Sequence, residues 1–233
     1  MGVNFDVILA VTVYIYVFFI IGLVYLLRGR LGLSSKATRN IIHILAGDAI
    51  LSLPWFSSWW YPFTLPLGLA FIVGLGLTIG DGAFRGLMVG ESGYSRLHAF
   101  GPLYYVISIG LLVPLTWGSK PVGMAAVMIM AWGDGAAAAL APRIRNRHRY
   151  PFSDKSVEGS LIMLLFASLG SLLAWMVAAY TGAILMEPFK AIITALAGAA
   201  VGTIVEALSI GPLKPFDNFT VPLISALAMG TML

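Results

Sequence analysis

The sequence predicts an all-α fold, a polytopic integral membrane bundle of about eight transmembrane helices within a range of seven to nine. Three observations carry that expectation. Of 233 residues, 59% are hydrophobic and only 10% charged, against about 25% charged in a soluble domain. The mean hydropathy of +0.93 is too high for a surface bathed in water. Apolar runs of spanning length recur along the chain, with no long linker, low-complexity tract or repeat between them. The chain, 1–233, is expected to form a single domain.

A spanning helix needs roughly 20 mostly apolar residues. The first run, 5–27 ("FDVILAVTVYIYVFFIIGLVYLL"), lacks a basic leader and a small-residue cleavage site ahead of it and exceeds a signal-peptide core. An uncleaved span is expected there. Gly2 lacks the Ser/Thr of a myristoylation signal. The remaining runs are 40–56, 62–80, 100–117, 121–141, 159–180, 189–210 and 218–233, the second and last of the eight being the shortest. Gly76/Gly80 and Gly198/Gly202 have the GxxxG spacing that lets helices approach closely. The absence of cysteine excludes disulfides, thiolate metal sites and a cysteine nucleophile.

Charge placement orients the bundle. With the N-terminus outside, the inner loops hold Arg28, Arg30, Lys36, Arg39, Arg85, Arg96, Arg143, Arg145, Arg147, Arg149, Lys155 and Lys214, and the outer loops only Lys120 and Lys190. That asymmetry follows the positive-inside rule and favours an even number of spans. Trp55, Trp59, Trp60 and Tyr61 then fall at the outer interface, where amphipathic rings belong. The polar loops 28–39, 81–98, 142–157 and 211–217 face the cytoplasm, so the chemistry is expected there, on a cell membrane or an equivalent endomembrane.

The most informative stretch is "AWGDGAAAALAPRIRNRHRYPFSDKSVEGSL", 131–161. Asp134 lies in an apolar helix, where a carboxylate costs about 2.5–3.5 kcal/mol unless paired or wet. After Pro142 come Arg143, Arg145, Arg147, His148 and Arg149. Ser153, Asp154 or Ser156 can cap the next helix. A helix N-terminus beside arginines suits phosphate, with Ser156 and Lys155 at hand. A carboxylate nearby suits Mg²⁺, which takes one or two carboxylates plus substrate phosphates. The bland alternative for the arginines is topology or anionic lipid. Lys155 and Glu158, three apart, are expected to share a helix face, where a plain ion pair would be worth about 0.2–0.5 kcal/mol.

The segment "GDGAAAALAPRIRNRHRY…DKSVEGSL" resembles the GD-x-x-A-A…K-S-x-E-G-S signature of the dolichol kinase, phytol kinase and CTP-dependent diacylglycerol kinase family. "TRNIIHILAG" (38–47) is similar to that family's early R-K-x-x-H-x-x-x-G segment, "FGPLYYVI" (100–107) to its G-P-L-Y-Y segment, and "VEALSIGPLKPFDNFTVPLISAL" (205–227) to its E-A…D-D/N-N-x-T-V-P-L segment. The blocks keep the family's order. Ala141-Pro142-Arg143 stands where the family often has Gly-Arg-Arg, and Asn40 where it often has a basic residue.

The resemblance implies phosphoryl transfer from a nucleoside triphosphate, typically CTP, to a membrane isoprenoid alcohol such as dolichol, another polyprenol, phytol or geranylgeraniol. Mg²⁺ is the implied cofactor. The expected metal ligands are Asp134, Glu158 and Glu206. The expected phosphate-binding residues are Arg39, Arg143, Arg145, Arg147, Lys155 and Ser156, and the catalytic residues Lys155, Glu158, Asp217 and His43. Arg39 and His43, four apart, share one face of the second helix. His43 would be a base or hydrogen-bond to phosphate, and its bland alternative is a bond to a neighbouring helix. Asp81 and Arg85, also four apart, pair or act. Glu206 or Asp217 would bind metal or accept the alcohol's proton. Tyr104 and Tyr105 are expected to pack or line the lipid groove. The partners are the bilayer, a lipid alcohol and a nucleotide, with no nucleic acid, and the oligomeric state is open. Two rivals stand beside this reading: a CDP-lipid-forming cytidylyltransferase, and a transporter with midplane charges, for which Asp48 is a candidate.

Overall fold

In a computed structural model of the protein, the described residues are 4–79, 100–184 and 187–233. Asp81, Arg85, Arg96, Gly80 and Gly2 lie outside them. The regular elements among the described residues are helices: α1 (Phe5–Leu31), α2 (Ser35–Gly47), α3 (Trp60–Ile79), α4 (Gly101–Leu115), α5 (Lys120–Met128), α6 (Gly135–Leu140), α7 (Val157–Tyr180), α8 (Pro188–Ala207) and α9 (Asp217–Gly230). A 3₁₀ segment, Asp48–Trp55, prolongs α2, and a π-helical stretch, Ile129–Asp134, joins α5 to α6 in one continuous rod.

Each of the eight expected runs coincides with a helical rod. Four rods are long and apolar enough to cross a membrane: Phe5–Leu31, Trp117–Arg143, Val157–Tyr180 and Pro188–Ala207. The second run differs most from expectation. Its helix begins at Ser35, whose predecessor Ser34 caps it by accepting from Ala37 N, and it tightens to 3₁₀ geometry at Asp48.

Burial follows from what each rod touches. The Lys120–Asp134 rod is the hub, with Met124 through Ile129 fully buried. α7, α9 and the Asp48–Trp55 segment pack around it, and α8 lies against both α7 and α9. The outer faces are greasy: Leu161, Leu165 and Leu169 form an exposed stripe on α7, as Ile15, Phe19 and Leu26 do on α1. Such continuous apolar exposure is the surface that lipid covers. The Gly198/Gly202 pair packs as its spacing predicts. A Cβ on Gly198 would fall 2.6 Å from Met229 Cγ, and one on Gly202 would fall 2.6 Å from Ser225 Oγ and 2.7 Å from Ile129 Cγ2.

Hydrogen bonds sort the connections onto two ends. At one end Asp6 accepts from Ser57, Lys120 Nζ donates to the Phe56 carbonyl at 2.8 Å, and Trp59 stacks on Trp60. At the other, Lys214 meets Asp154 and Asn218 Nδ2 donates to the Gly101 carbonyl at 3.3 Å. The expected catalytic residues belong to this second end.

Candidate active site at the polar end of the bundle

The site begins with a wide turn in the hub. Over Ile129–Asp134 the rod takes π geometry, the one-residue insertion that often marks functional positions. Gly133 and Gly135 flank Asp134 for a packing reason. A Cβ on Gly133 would lie 3.0 Å from Ala167 Cβ of α7, and one on Gly135 would collide with Ile44 of α2. Both neighbouring helices therefore press close, and Asp134 emerges between them. Its carboxylate takes no hydrogen bond or ion pair from any described residue. Trp132, in the same turn, donates Nε1–H to Asp48 Oδ1 at 2.6 Å. That bond accounts for Asp48 as a satisfied intramembrane acid.

The loop after α6 folds back on itself. Tyr150 N donates to the Lys155 carbonyl at 3.0 Å and Val157 N to the His148 carbonyl at 2.9 Å. The arrangement turns Lys155 inward, leaving its side chain 16% exposed, and sets its ammonium on the Glu206 carboxylate of α8, itself 8% exposed. Asp134 and Asp217 also act on this ammonium. Burial opposes the lysine's charge, but the three carboxylates outweigh it and hold its pKa above the usual lysine range. Asp217, the first residue of α9 and ahead of its apolar run, is pushed up to about 7 by burial and by the Asp134 carboxylate. Lys214 holds the exposed Asp154 carboxyl below the usual range.

One expected arrangement is corrected. Lys155 and Glu158 do not share a helix face, because α7 begins at Val157 and Lys155 precedes it. Glu158 instead turns to the loop: its carboxylate accepts from His148 N at 3.0 Å and lies 2.6 Å from His148 Nδ1. Ser156 is the cap, its Oγ accepting from Gly159 N at 3.2 Å, so its side chain is committed to the helix terminus. Arg143, Arg145 and Arg147 are exposed on the loop and pair with no acid among the described residues.

A cavity of about 470 Å³ leads from Asp134 and Asp217 into the apolar interior. Its polar mouth holds Lys36, Arg39, His43, Asp134, Lys214 and Asp217. Its far end holds Leu53, Phe56, Leu65 and Val113, all buried. Arg39 and His43 line it together, as their spacing requires. His43 lies against Tyr105, ring centroids 4.0 Å apart, and Tyr105 Oη donates to the His43 carbonyl at 2.9 Å. The Nε2 of His43 is buried without a partner. Tyr104 packs on Phe216 and Phe219 and Tyr105 lines the cavity, matching the expectation for both. A smaller polar cavity of about 320 Å³ lies between Phe152–Asp154 and Ser209–Gly211, and Lys214 borders both cavities. No motif singles out Lys36 or Lys214; both join the mouth through tertiary packing alone.

Among the described residues, no three His, Asp or Glu side chains form a closed metal-ligand set. The oxygen donors still suit Mg²⁺, which needs one or two carboxylates and completes its shell with phosphate and water. The unbonded carboxylate of Asp134 at the cavity mouth is such a donor.

No family model and no solved structure matches the chain. Curated proteins do. The chain is 33% identical over 212 residues to the phytol kinase of Synechocystis sp., covering 86% of this chain and 82% of that protein. It is 27% identical to phytol kinase 1 of Arabidopsis thaliana, across 84% of this chain and 66% of that protein. It is 29% identical to the farnesol kinase of the same plant, across 86% and 67%. The chain thus spans about two thirds of the length of these chloroplastic proteins. The chain belongs to the phytol kinase and farnesol kinase family of polyprenol kinases.

Proposed function

We propose that the protein is a kinase that transfers the γ-phosphoryl group of a nucleoside triphosphate, CTP by preference, to the hydroxyl of an isoprenoid alcohol. One observation carries this reading: a long apolar cavity whose strongly polar part, among the described residues, is a mouth of acids and cations. An alcohol with a hydrocarbon tail fits that polarity, tail inward and hydroxyl at the mouth. The names of the relatives, phytol kinase and farnesol kinase, support the alcohol class and favour phosphoryl transfer over nucleotidyl transfer. With Asp48 bonded to Trp132, the midplane charge a transporter would use is already engaged.

Such transfer is chiefly positioning and charge stabilisation. The alcohol oxygen attacks the γ-phosphorus, its proton leaves to a base, the bond to the β-phosphate oxygen breaks, and the nucleoside diphosphate departs. Asp217 is the proposed base, since a carboxyl raised toward neutrality accepts a proton near physiological pH. His43, with its unpartnered Nε2 in the cavity wall, orients the hydroxyl. Lys155, fixed by Glu206, and the mouth cations Arg39 and Lys214 face the phosphates. Mg²⁺ would be held by Asp134 together with phosphate oxygens and would neutralise charge on the transferred group. Glu158, bonded to His148, takes no part in this scheme, and Arg143, Arg145 and Arg147 present charge to the approaching nucleotide or to anionic lipid. The basic polar end faces the cytoplasm.

The test uses purified protein, CTP labelled on the γ-phosphate, a panel of prenyl alcohols and chromatographic separation. Label in a lipid monophosphate, with CDP released, is expected. Release of pyrophosphate with a CDP-lipid would refute the kinase.

A further inference from the structure

The far end of the large cavity raises a question that the chemistry at its mouth does not answer. The cavity reaches from Gly101 to Val113 on α4, a rise of about 18 Å. On the opposite wall it reaches from His43 to Phe56, about 6 Å of α-helix followed by about 16 Å of 3₁₀-helix. The tightening at Asp48 therefore lengthens this wall beyond what α-geometry would span with the same residues. An extended chain advances about 1.2 Å per bond, since a residue of three bonds spans at most about 3.6 Å. Each prenyl unit adds four main-chain bonds, or about 5 Å, so about four units fill the distance from mouth to floor.

The floor is firmly built. Phe56, Leu53 and Val113 are 2%, 1% and 1% exposed. Phe56 is pinned from behind: Lys120 Nζ donates to its carbonyl, and the next residue, Ser57, gives its N–H and Oγ–H to the buried Asp6 carboxylate, the hydroxyl at 2.6 Å. These are two of the few charged side chains at that end of the bundle. Neither lies near the site, and both brace the segment that carries Phe56.

Resting on the reading of this cavity as the acceptor site, we infer that Leu53, Phe56 and Val113 form a floor that limits the acceptor to about four prenyl units, excluding long polyprenols. The tail of a longer alcohol meets a braced wall instead of open lipid. Substituting floor residues moves the limit: Phe56→Ala deepens the cavity, and Val113→Trp raises its floor. Hydrophobic pockets discriminate single methylenes by about 10–200-fold, so a whole prenyl unit against the floor is expected to cost at least tenfold in kcat/KM.

The experiment measures kcat/KM for all-trans prenyl alcohols of two to eleven units with the unaltered protein and both variants. The unaltered protein should peak at four units and fall at least tenfold by five. Phe56→Ala should move the peak to five units, and Val113→Trp to three. A profile that stays level from four to eleven units overturns the floor, whatever the variants do. Peaks unmoved in an active Phe56→Ala protein overturn it as well, and this variant removes bulk, so it does not depend on Val113→Trp folding. A protein that phosphorylates no prenyl alcohol of any length overturns the kinase reading itself, and the floor with it.

Discussion

The buried Lys155–Glu206 pair gives the sharpest test of the site's electrostatics. Three carboxylates, Asp134, Glu206 and Asp217, act on one ammonium, so acids outnumber the buried cation they share. The two obvious substitutions are therefore unequal. Lys155→Met removes the buried cation that all three acids share, leaving them facing one another with Lys214 as a more distant counter-charge on Glu206. Glu206→Gln removes one acid of three, and Asp134 and Asp217 still face the ammonium. Breaking a buried pair costs about 3–5 kcal/mol when the remaining charge is uncompensated. Lys155→Met should pay that in full, whereas Glu206→Gln should cost about 1–3 kcal/mol, near the penalty of one lost buried partner. For a chain of this size about 2–4 °C in Tm accompanies each kcal/mol. Thermal unfolding in one detergent should place Lys155→Met about 6–20 °C below the unaltered protein, with Glu206→Gln between them. Added Mg²⁺ should raise Tm most in Lys155→Met, where uncompensated acid is greatest. The double variant Lys155→Met, Glu206→Leu should regain stability without activity, because an apolar pair of similar volume replaces a buried ion pair at little cost. Equal destabilisation by the two single variants, or a larger effect from Glu206→Gln, would show that Lys155 is not the shared counter-charge of the three acids.

Three further outcomes are expected. Asp134→Asn should abolish Mg²⁺-dependent turnover while leaving Tm near that of the unaltered protein, since its carboxylate has no protein bond to lose, whereas Glu158→Gln should keep most of its turnover; calorimetry and a Mg²⁺ titration decide both. If Asp217 is the base, kcat/KM should fall as pH drops below about 7, where the carboxyl takes up its proton, and a rate profile flat through that range speaks against it. A cysteine at Ser153 should be shielded from an outside-only reagent in intact cells while one at Ser119 reacts, and labelling of Ser153→Cys would invert the proposed orientation.

Much of this arrangement was legible in the sequence, for identifiable reasons. Apolar runs announce helices because a bilayer demands about 20 such residues, and eight runs became eight rods. Gly198 and Gly202 were read as a close-packing pair, and Met229 and Ser225 fill the space a side chain would need. Asp134 stood out because a carboxylate inside an apolar helix is costly. What stayed hidden were the two departures from α-geometry. Nothing in hydropathy separates α from 3₁₀ at Asp48–Trp55 or from π at Ile129–Asp134, since the residues are mostly apolar in both. The cavity was hidden for the same reason: its walls come from helices that each read as plain spans.

Lys155 and Glu158 show where spacing reasoning fails. Residues three apart meet on a helix only if both are in it, and Ser156, already a candidate cap, stands between them. A cap at Ser156 places Lys155 ahead of the first turn, where the chain direction is set by the folded-back loop and not by the helix. The sequence thus contained the signal that separates the pair, but read as a K-x-x-E motif the two residues looked like one unit. The real partner of Lys155 is Glu206, 51 residues away, and only the packing of α8 against α7 brings it there. A buried acid at the C-terminal end of one helix and a buried lysine at the threshold of another each satisfy what the other lacks. Local periodicity ranks both as expensive and leaves their pairing to the tertiary fold.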